Sequence, residues 1–148
     1  FKGDVLIDAD GLYALSEMDA FQKPEHSQWL LTPHPGELKM VFKQDISDDF
    51  KRLALVAEQA KNKGVTMLSK GMPCIIGTES GELYVTGYDT QIFSRAGFGD
   101  VLAGKVAAFW LAYSSKEWGC FHALLHGHEK SQQYFATHSG SLEPLDII

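Results

Sequence analysis

Ser94-Arg95-Ala96-Gly97-Phe98-Gly99-Asp100-Val101-Leu102-Ala103-Gly104 places two glycines around one residue, an aspartate directly after them, and an apolar run behind. Glycine lets the backbone turn sharply and come close to a ligand. A helix starting at about Gly99 would present unpaired N–H groups and a positive dipole end to an anion. Asp100 would stand beside that anion hole, where a carboxylate can act as a base. The segment reads as a phosphate-handling turn. It reads equally as a plain turn in which Asp100 is the N-cap, or a first-turn acid that favours the dipole. The rest of the chain has to separate the two.

Upstream, Val5-Leu6-Ile7 is a short apolar run ended by Asp8-Ala9-Asp10-Gly11, which predicts a buried strand leading into a polar turn. Leu12, Leu15 and Met18 follow at helical spacing. Trp29-Leu30-Leu31 predicts a second strand, stopped by Thr32-Pro33-His34-Pro35-Gly36-Glu37. Pro35 can open the next helix, where its missing N–H is harmless, with Leu38, Val41 and Phe42 as the apolar face. Asp48 or Asp49 caps a longer helix that turns Leu53, Val56, Ala57 and Ala60 inward and ends at Gly64. Residues 65–69 form a third strand, followed by Lys70-Gly71, and residues 74–77 and 83–86 flank a polar turn as a hairpin. A helix over about 99–113 and one or two more between 116 and 137 complete the pattern. The fold class is α/β, a mostly parallel sheet with an antiparallel hairpin. In such sheets ligands bind beyond the carboxyl ends of the strands. The polar turns after Ile7, Leu31 and Ser69 all fall there.

Composition narrows the function. At 148 residues the chain is a single domain's worth, residues 1–148, able to bury a core. With 45% hydrophobic and 22% charged residues it has the make-up of an ordinary globular protein. A net charge of −6, dispersed along the chain, argues against a nucleic-acid surface. No stretch is apolar enough to span a membrane, since residues 98–113 are interrupted by Asp100 and Lys105, and no signal peptide is visible. Cys74 and Cys120 stand far apart without ligand spacing, which points to reduced thiols and a cytoplasmic location. The sequence begins without Met and enters a strand almost at once, so it is expected to be part of a larger polypeptide.

Four segments, taken in order, carry a resemblance: Val5-Leu6-Ile7-Asp8-Ala9-Asp10-Gly11-Leu12, Leu31-Thr32-Pro33-His34-Pro35-Gly36-Glu37, Ser69-Lys70-Gly71, and Ala96-Gly97-Phe98-Gly99-Asp100-Val101-Leu102-Ala103-Gly104. Together they resemble the ADP/ATP-dependent NAD(P)H-hydrate dehydratase family of the ribokinase-like fold. Leu125-His126-Gly127 is a further match, and the Thr-Pro-His-Pro-Gly-Glu run is the most specific. The match runs over nearly the whole chain but covers only the C-terminal part of the family's domain. The resemblance therefore implies a three-layer sandwich truncated at its N-terminus. It also implies cofactor repair. Water added across a ring double bond of NADH or NADPH leaves a hydrate; ADP or ATP, with Mg²⁺, phosphorylates the new hydroxyl; phosphate is then eliminated to restore the dihydropyridine.

On this resemblance Asp100 is the base that deprotonates the hydroxyl and touches the substrate. The N–H groups around Gly97, Phe98 and Gly99 hold the transferring phosphoryl group, and Lys70 lies near the nucleotide phosphates. His34 and Glu37 line the hydrate pocket. Each has a plainer reading: Lys70 as a strand-end surface lysine, His34 and Glu37 as a helix start. Asp8 and Asp10 read either as helpers of Mg²⁺ or the pocket edge, or as turn and N-cap carboxylates, and no metal site is identified. The implied partners are the hydrate and the nucleotide. Self-association, or a companion N-terminal segment, would cover the open sheet edge. Arg95 and Phe98 stand where the family carries small or hydroxyl residues.

His122 and His126 lie one helical turn apart, a spacing that binds zinc when a third ligand joins. With Ala123-Leu124-Leu125 between them they read as helix-packing and surface histidines. Phe109, Trp110, Tyr113, Trp118 and Phe121 read as core and helix contacts. Two other functions suit the sequence. One is a small-molecule kinase of this fold acting on a sugar or vitamin alcohol, against which the Pro-His-Pro-Gly-Glu turn speaks. The other is a non-catalytic module that binds a nucleotide or a partner subunit.

Overall fold

The computed structural model describes residues 3–148. They divide into two compact units, Phe1–Val85 and Thr86–Ile148. The first unit holds β1 (Val5–Ile7), α1 (Asp10–Ser16), β2 (Trp29–Leu31), α2 (Pro35–Phe42), α3 (Asp49–Lys63), β3 (Thr66–Ser69), β4 (Ile75–Gly77) and β5 (Leu83–Val85). The strands lie side by side in the order β1-β2-β3-β4-β5. β1, β2 and β3 pair in parallel, with Leu6 opposite Leu30 and Leu31 opposite Met67. β4 runs antiparallel to β3, and β5 antiparallel to β4. The sheet is mixed, and only β4 runs against the other strands, as a hairpin after a parallel set requires.

Local chemistry sets the helix ends. Pro35 takes the first position of α2, behind His34 as N-cap. Asp48 caps α3 by accepting the Lys51 amide at 2.9 Å, and that hydrogen bond is the main cause holding its carboxyl below the usual carboxylate range. Gly64 closes α3 in the left-handed conformation, φ 61°. Alternate strand residues point to one face. Leu31, Met67 and Ile75 there meet Leu12 and Leu15 of α1, Leu38 and Val41 of α2, and Leu55, Val56 and Ala60 of α3. Each of the larger of these side chains, the valines, leucines, isoleucine and methionine, contributes about 1.5–3 kcal/mol on burial. Met18, expected to continue the α1 stripe, falls beyond the helix end and is half exposed.

The second unit is helical. A 3-10 turn over Gln91–Ser94 precedes α4 (Phe98–Tyr113); α5 (Lys116–Thr137) follows as one uninterrupted helix, and a second 3-10 turn spans Pro144–Ile147. Ser115 caps α5 through the Trp118 amide at 3.2 Å. Leu102, Val106 and Trp110 of α4 and Cys120, Ala123 and Leu124 of α5 are buried. Of the five aromatics read as core and helix contacts, Trp110 is buried in the core and the others make contacts at the helix surfaces. Tyr113 and Trp118 are about half exposed, and both rings lie against His122, at 4.3 and 5.7 Å between centroids. A helix buries one stripe, and these residues fall at its rim. Among the described residues no helix is long and apolar enough to cross a membrane.

Candidate functional site

In the first unit the parallel order β1-β2-β3 brings three chain segments to the same end of the sheet. Asp8 follows β1, His34 and Glu37 start α2 after β2, and Lys70 follows β3. Lys70 Nζ donates to Asp8 Oδ1 at 2.8 Å and lies 3.8 Å from Glu37 Oε2. The lysine side chain is 8% exposed and each carboxylate 14%, so this is a largely buried ion cluster rather than a surface pair. Lys70 is not the strand-end surface lysine of the plainer reading.

Glu37 joins the cluster to the helix start. Its Oε2 accepts the His34 amide at 2.8 Å, while His34 Nδ1 accepts the amides of Gly36 and Glu37 at 3.0 and 3.2 Å, a reciprocal capping box. A ring nitrogen that accepts two N–H groups is unprotonated, so a neutral His34 carries its proton on Nε2, which lies 3.5 Å from Glu37 Oε1. His34 is therefore the helix start, with a side chain that stays largely exposed beside Glu37. Neither Asp8 nor Asp10 is an N-cap. Ala9 takes that position in α1 without a side-chain hydrogen bond, and Asp10 is the exposed first residue of the helix. Ala9 holds φ 46° and ψ −119°, a strained conformation for an L residue, in the turn closed by the Gly11 amide on the Asp8 carbonyl at 2.9 Å.

In the second unit the glycine turn is built as the sequence suggests. Gly97 is the N-cap of α4 with φ 82°, a left-handed conformation that L side chains resist, and it supplies no capping side chain. The Phe98 amide is taken by the Arg95 carbonyl at 3.2 Å, and the Phe98 ring is buried. Gly97 gives no side-chain cap, and among the described residues no side chain caps the amides of Gly99 and Asp100 at the positive end of the helix. Asp100 lies exposed in the first turn. It is a first-turn acid, not the N-cap.

A family described as NAD(P)H-hydrate dehydratase matches residues 1–148, through both units. The chain belongs to that family. Among its relatives, the bifunctional NAD(P)H-hydrate repair enzyme Nnr of Salinibacter ruber is 30% identical over 138 residues, covering 90% of this chain and 25% of that protein. The Nnr of Methanopyrus kandleri is 33% identical over 108 residues, 72% of this chain and 21% of that protein. The chain thus spans about a quarter of the length of the curated relatives it matches. Among solved structures, the ADP/ATP-dependent NAD(P)H-hydrate dehydratase from Bacillus subtilis, co-crystallised with ATP/Mg²⁺, superposes with a TM-score of 0.83 at 19% identity, over 97% of this chain and 51% of that one. A ribokinase-like superfamily protein from Enterococcus faecalis gives 0.70 at 23% identity, over 96% and 48%. The fold of this NAD(P)H-hydrate dehydratase family member is ribokinase-like.

Two features fall outside the reading from sequence. Arg52 of α3 is buried and bonds to the loop after Lys70; its signal was a charged residue on the apolar stripe of Leu55 and Val56. Lys105 of α4 meets His126 Nδ1 at 2.6 Å and donates to the Ile147 carbonyl. Burial first, and Lys130 second, hold the Lys105 ammonium down at about 8. Burial, then Lys105 and Lys130, push the His126 imidazole below its usual value against the pull of Glu129. His126 is occupied as a packing partner, and among the described residues no group of three or more His, Cys, Asp or Glu could hold a metal.

Proposed function

We propose that this chain carries the nucleotide- and phosphoryl-handling part of an ADP/ATP-dependent NAD(P)H-hydrate dehydratase. The observation that carries the reading is the start of α4, where among the described residues no side chain caps the Gly99 and Asp100 amides and the Asp100 carboxylate lies exposed in the same turn. Membership of the NAD(P)H-hydrate dehydratase family, over all 148 residues, supports it and supports reading both units as one domain.

In this function the hydrate's hydroxyl gives its proton to Asp100 as its oxygen attacks the terminal phosphoryl group of ADP or ATP. The nucleotide leaves with the bonding electrons; phosphate then departs with the C–O bonding pair while the neighbouring ring carbon gives up a proton to solvent, which restores the double bond. A hydroxyl is a poor nucleophile until a placed base takes its proton. Charge building on the phosphoryl oxygens is met by the Gly99 and Asp100 amides, with Gly97 setting the turn. Lys70 serves the nucleotide phosphates. An ammonium has three N–H donors, so one directed at Asp8 leaves others for a phosphate oxygen. His34 and Glu37 line the hydrate pocket. Mg²⁺ neutralises phosphate charge when bound. A companion N-terminal segment or a second copy completes the assembly, a reading that the fourfold greater length of the relatives favours. Cys74 and Cys120 are buried thiols, the redox state expected of a cytoplasmic setting.

The test is to incubate the chain with NADH hydrate, Mg²⁺ and ADP or ATP and to follow the return of dihydronicotinamide absorbance, beside an Asp100→Asn form. Recovery by the parent and a loss of at least about 100-fold in the variant is the expected result. Nucleotide bound without recovery of NADH, and phosphate transferred instead to a sugar or vitamin alcohol, would establish the kinase alternative.

A further inference from the structure

Arg52 has the wrong chemistry for its surroundings unless its contacts matter. Its side chain is 3% exposed, on the apolar stripe of α3. A buried guanidinium is tolerated only where its N–H groups find acceptors. Here Nη1 donates to the Lys70 carbonyl at 3.1 Å and Nη2 to the Pro73 carbonyl at 2.8 Å. Asp49 Oδ1 balances the charge, accepting from Nη2 at 2.9 Å and Nε at 3.2 Å. The planar fork thus brackets both ends of the loop 70–73, a geometry that a lysine cannot reproduce.

The loop is shaped to receive it. A Cβ on Gly71 would lie 2.5 Å from Arg52 Nη1, so the approach requires a residue without a side chain there. On its other side the Lys70 amide donates to the Pro33 carbonyl at 2.8 Å. Lys70 is held at both of its backbone polar groups, by β2's exit on one side and by α3 on the other. Its ammonium sits on a flexible four-carbon stem, so where the charge lands depends on where the backbone is fixed. Asp8, its main partner, is fixed as well by the turn through Ala9.

We propose that Arg52 is a positioning residue for Lys70: its guanidinium fixes the loop 70–73 so that the Lys70 ammonium is presented to the nucleotide phosphates. The proposal rests on the reading of Lys70 as a phosphate ligand. Arg52 touches neither nucleotide nor reacting atoms in this role and acts only through Lys70.

The experiment measures ADP and ATP affinity, with Mg²⁺, by calorimetry. Arg52→Met weakens binding about 10- to 100-fold, the scale of one lost charged hydrogen bond to phosphate, and Arg52→Lys recovers little of it. Added guanidinium, at concentrations far below those that unfold proteins, partly restores Arg52→Ala. In a background where Asp8→Asn and Lys70→Met have removed the cluster's main pair, Arg52→Met causes no further loss. Gly71→Ala, which keeps the arginine but crowds Nη1, gives the same Lys70-dependent loss and serves if the Arg52 variants fail to fold. Parent-like affinity in Arg52→Met overturns the proposal, as does an equal loss with and without Lys70, since that marks a general effect on the fold. Failure of the parent chain itself to bind nucleotide overturns the proposed function first, and the role of Arg52 with it.

Discussion

Replacing Lys70 with methionine keeps the length of the side chain and removes its charge from between two carboxylates. At an effective dielectric of about 20, separations of 2.8 and 3.8 Å correspond to about 6 and about 4 kcal/mol of Coulomb attraction. Desolvation of the three charges opposes most of that. Breaking a buried pair by removing one partner costs about 3–5 kcal/mol, because the partner stays buried and uncompensated. Asp8 and Glu37 keep 14% exposure, so water relieves part of the loss, and we expect about 3 kcal/mol. Asp8 lies an ångström closer than Glu37, so Asp8→Asn combined with Lys70→Met replaces the main pair by neutral groups. That double variant should return to within about 1 kcal/mol of the parent. Urea unfolding followed by circular dichroism, read as midpoint and slope, reports all three values. A loss below about 1 kcal/mol in Lys70→Met would mean that the cluster behaves as a solvated surface pair. A double variant as unstable as the two singles summed would mean that Asp8 and Lys70 are not coupled. Either result refutes the reasoning.

Three further outcomes follow from the backbone and the second unit. Gly97→Ala puts a methyl group at φ 82° and 2.9 Å from Pro144 Cγ, so it should cost about 1–3 kcal/mol in thermal unfolding and weaken nucleotide binding at the start of α4. Ala9→Gly relieves a φ of 46° and should stabilise the chain by up to about 1 kcal/mol, measured the same way; destabilisation would argue against the turn as described. Lys105 holds its proton less tightly folded, at about 8, than unfolded, at 10.5, so between those values the unfolded chain binds more protons and stability rises with pH. Urea midpoints from pH 8 to 10.5 should climb more steeply for the parent than for Lys105→Met, and parallel profiles would contradict the burial of this ammonium.

Much of the first unit was legible because its signals are local. Pro35 opens α2, Asp48 and Gly64 bound α3, and the hairpin turns where a run of small and polar residues interrupts two apolar segments. Each depends on a missing N–H, a capping oxygen or a tolerance of positive φ, and such properties belong to a residue and its immediate neighbours. The Gly97–Asp100 turn was legible for the same reason. Met18 lies past the end of α1, and Tyr113 and Trp118 make helix contacts at the rim and not in the core, because spacing alone gives neither the last residue of a helix nor which of its apolar positions lies at the rim.

By itself, then, the sequence determined the elements, their order and the residue types offered at the strand ends. Only the tertiary structure decided which of those residues meet. Asp8 and Lys70 are 62 positions apart, and Arg52 reaches carbonyls 18 and 21 positions away. Those contacts exist because β1, β2 and β3 pair in parallel and α3 packs across β3 and β4, so that chain ends distant in sequence converge at one end of the sheet. Strand neighbours are chosen by the burial of whole faces, a sum over many side chains that no single stretch of sequence carries.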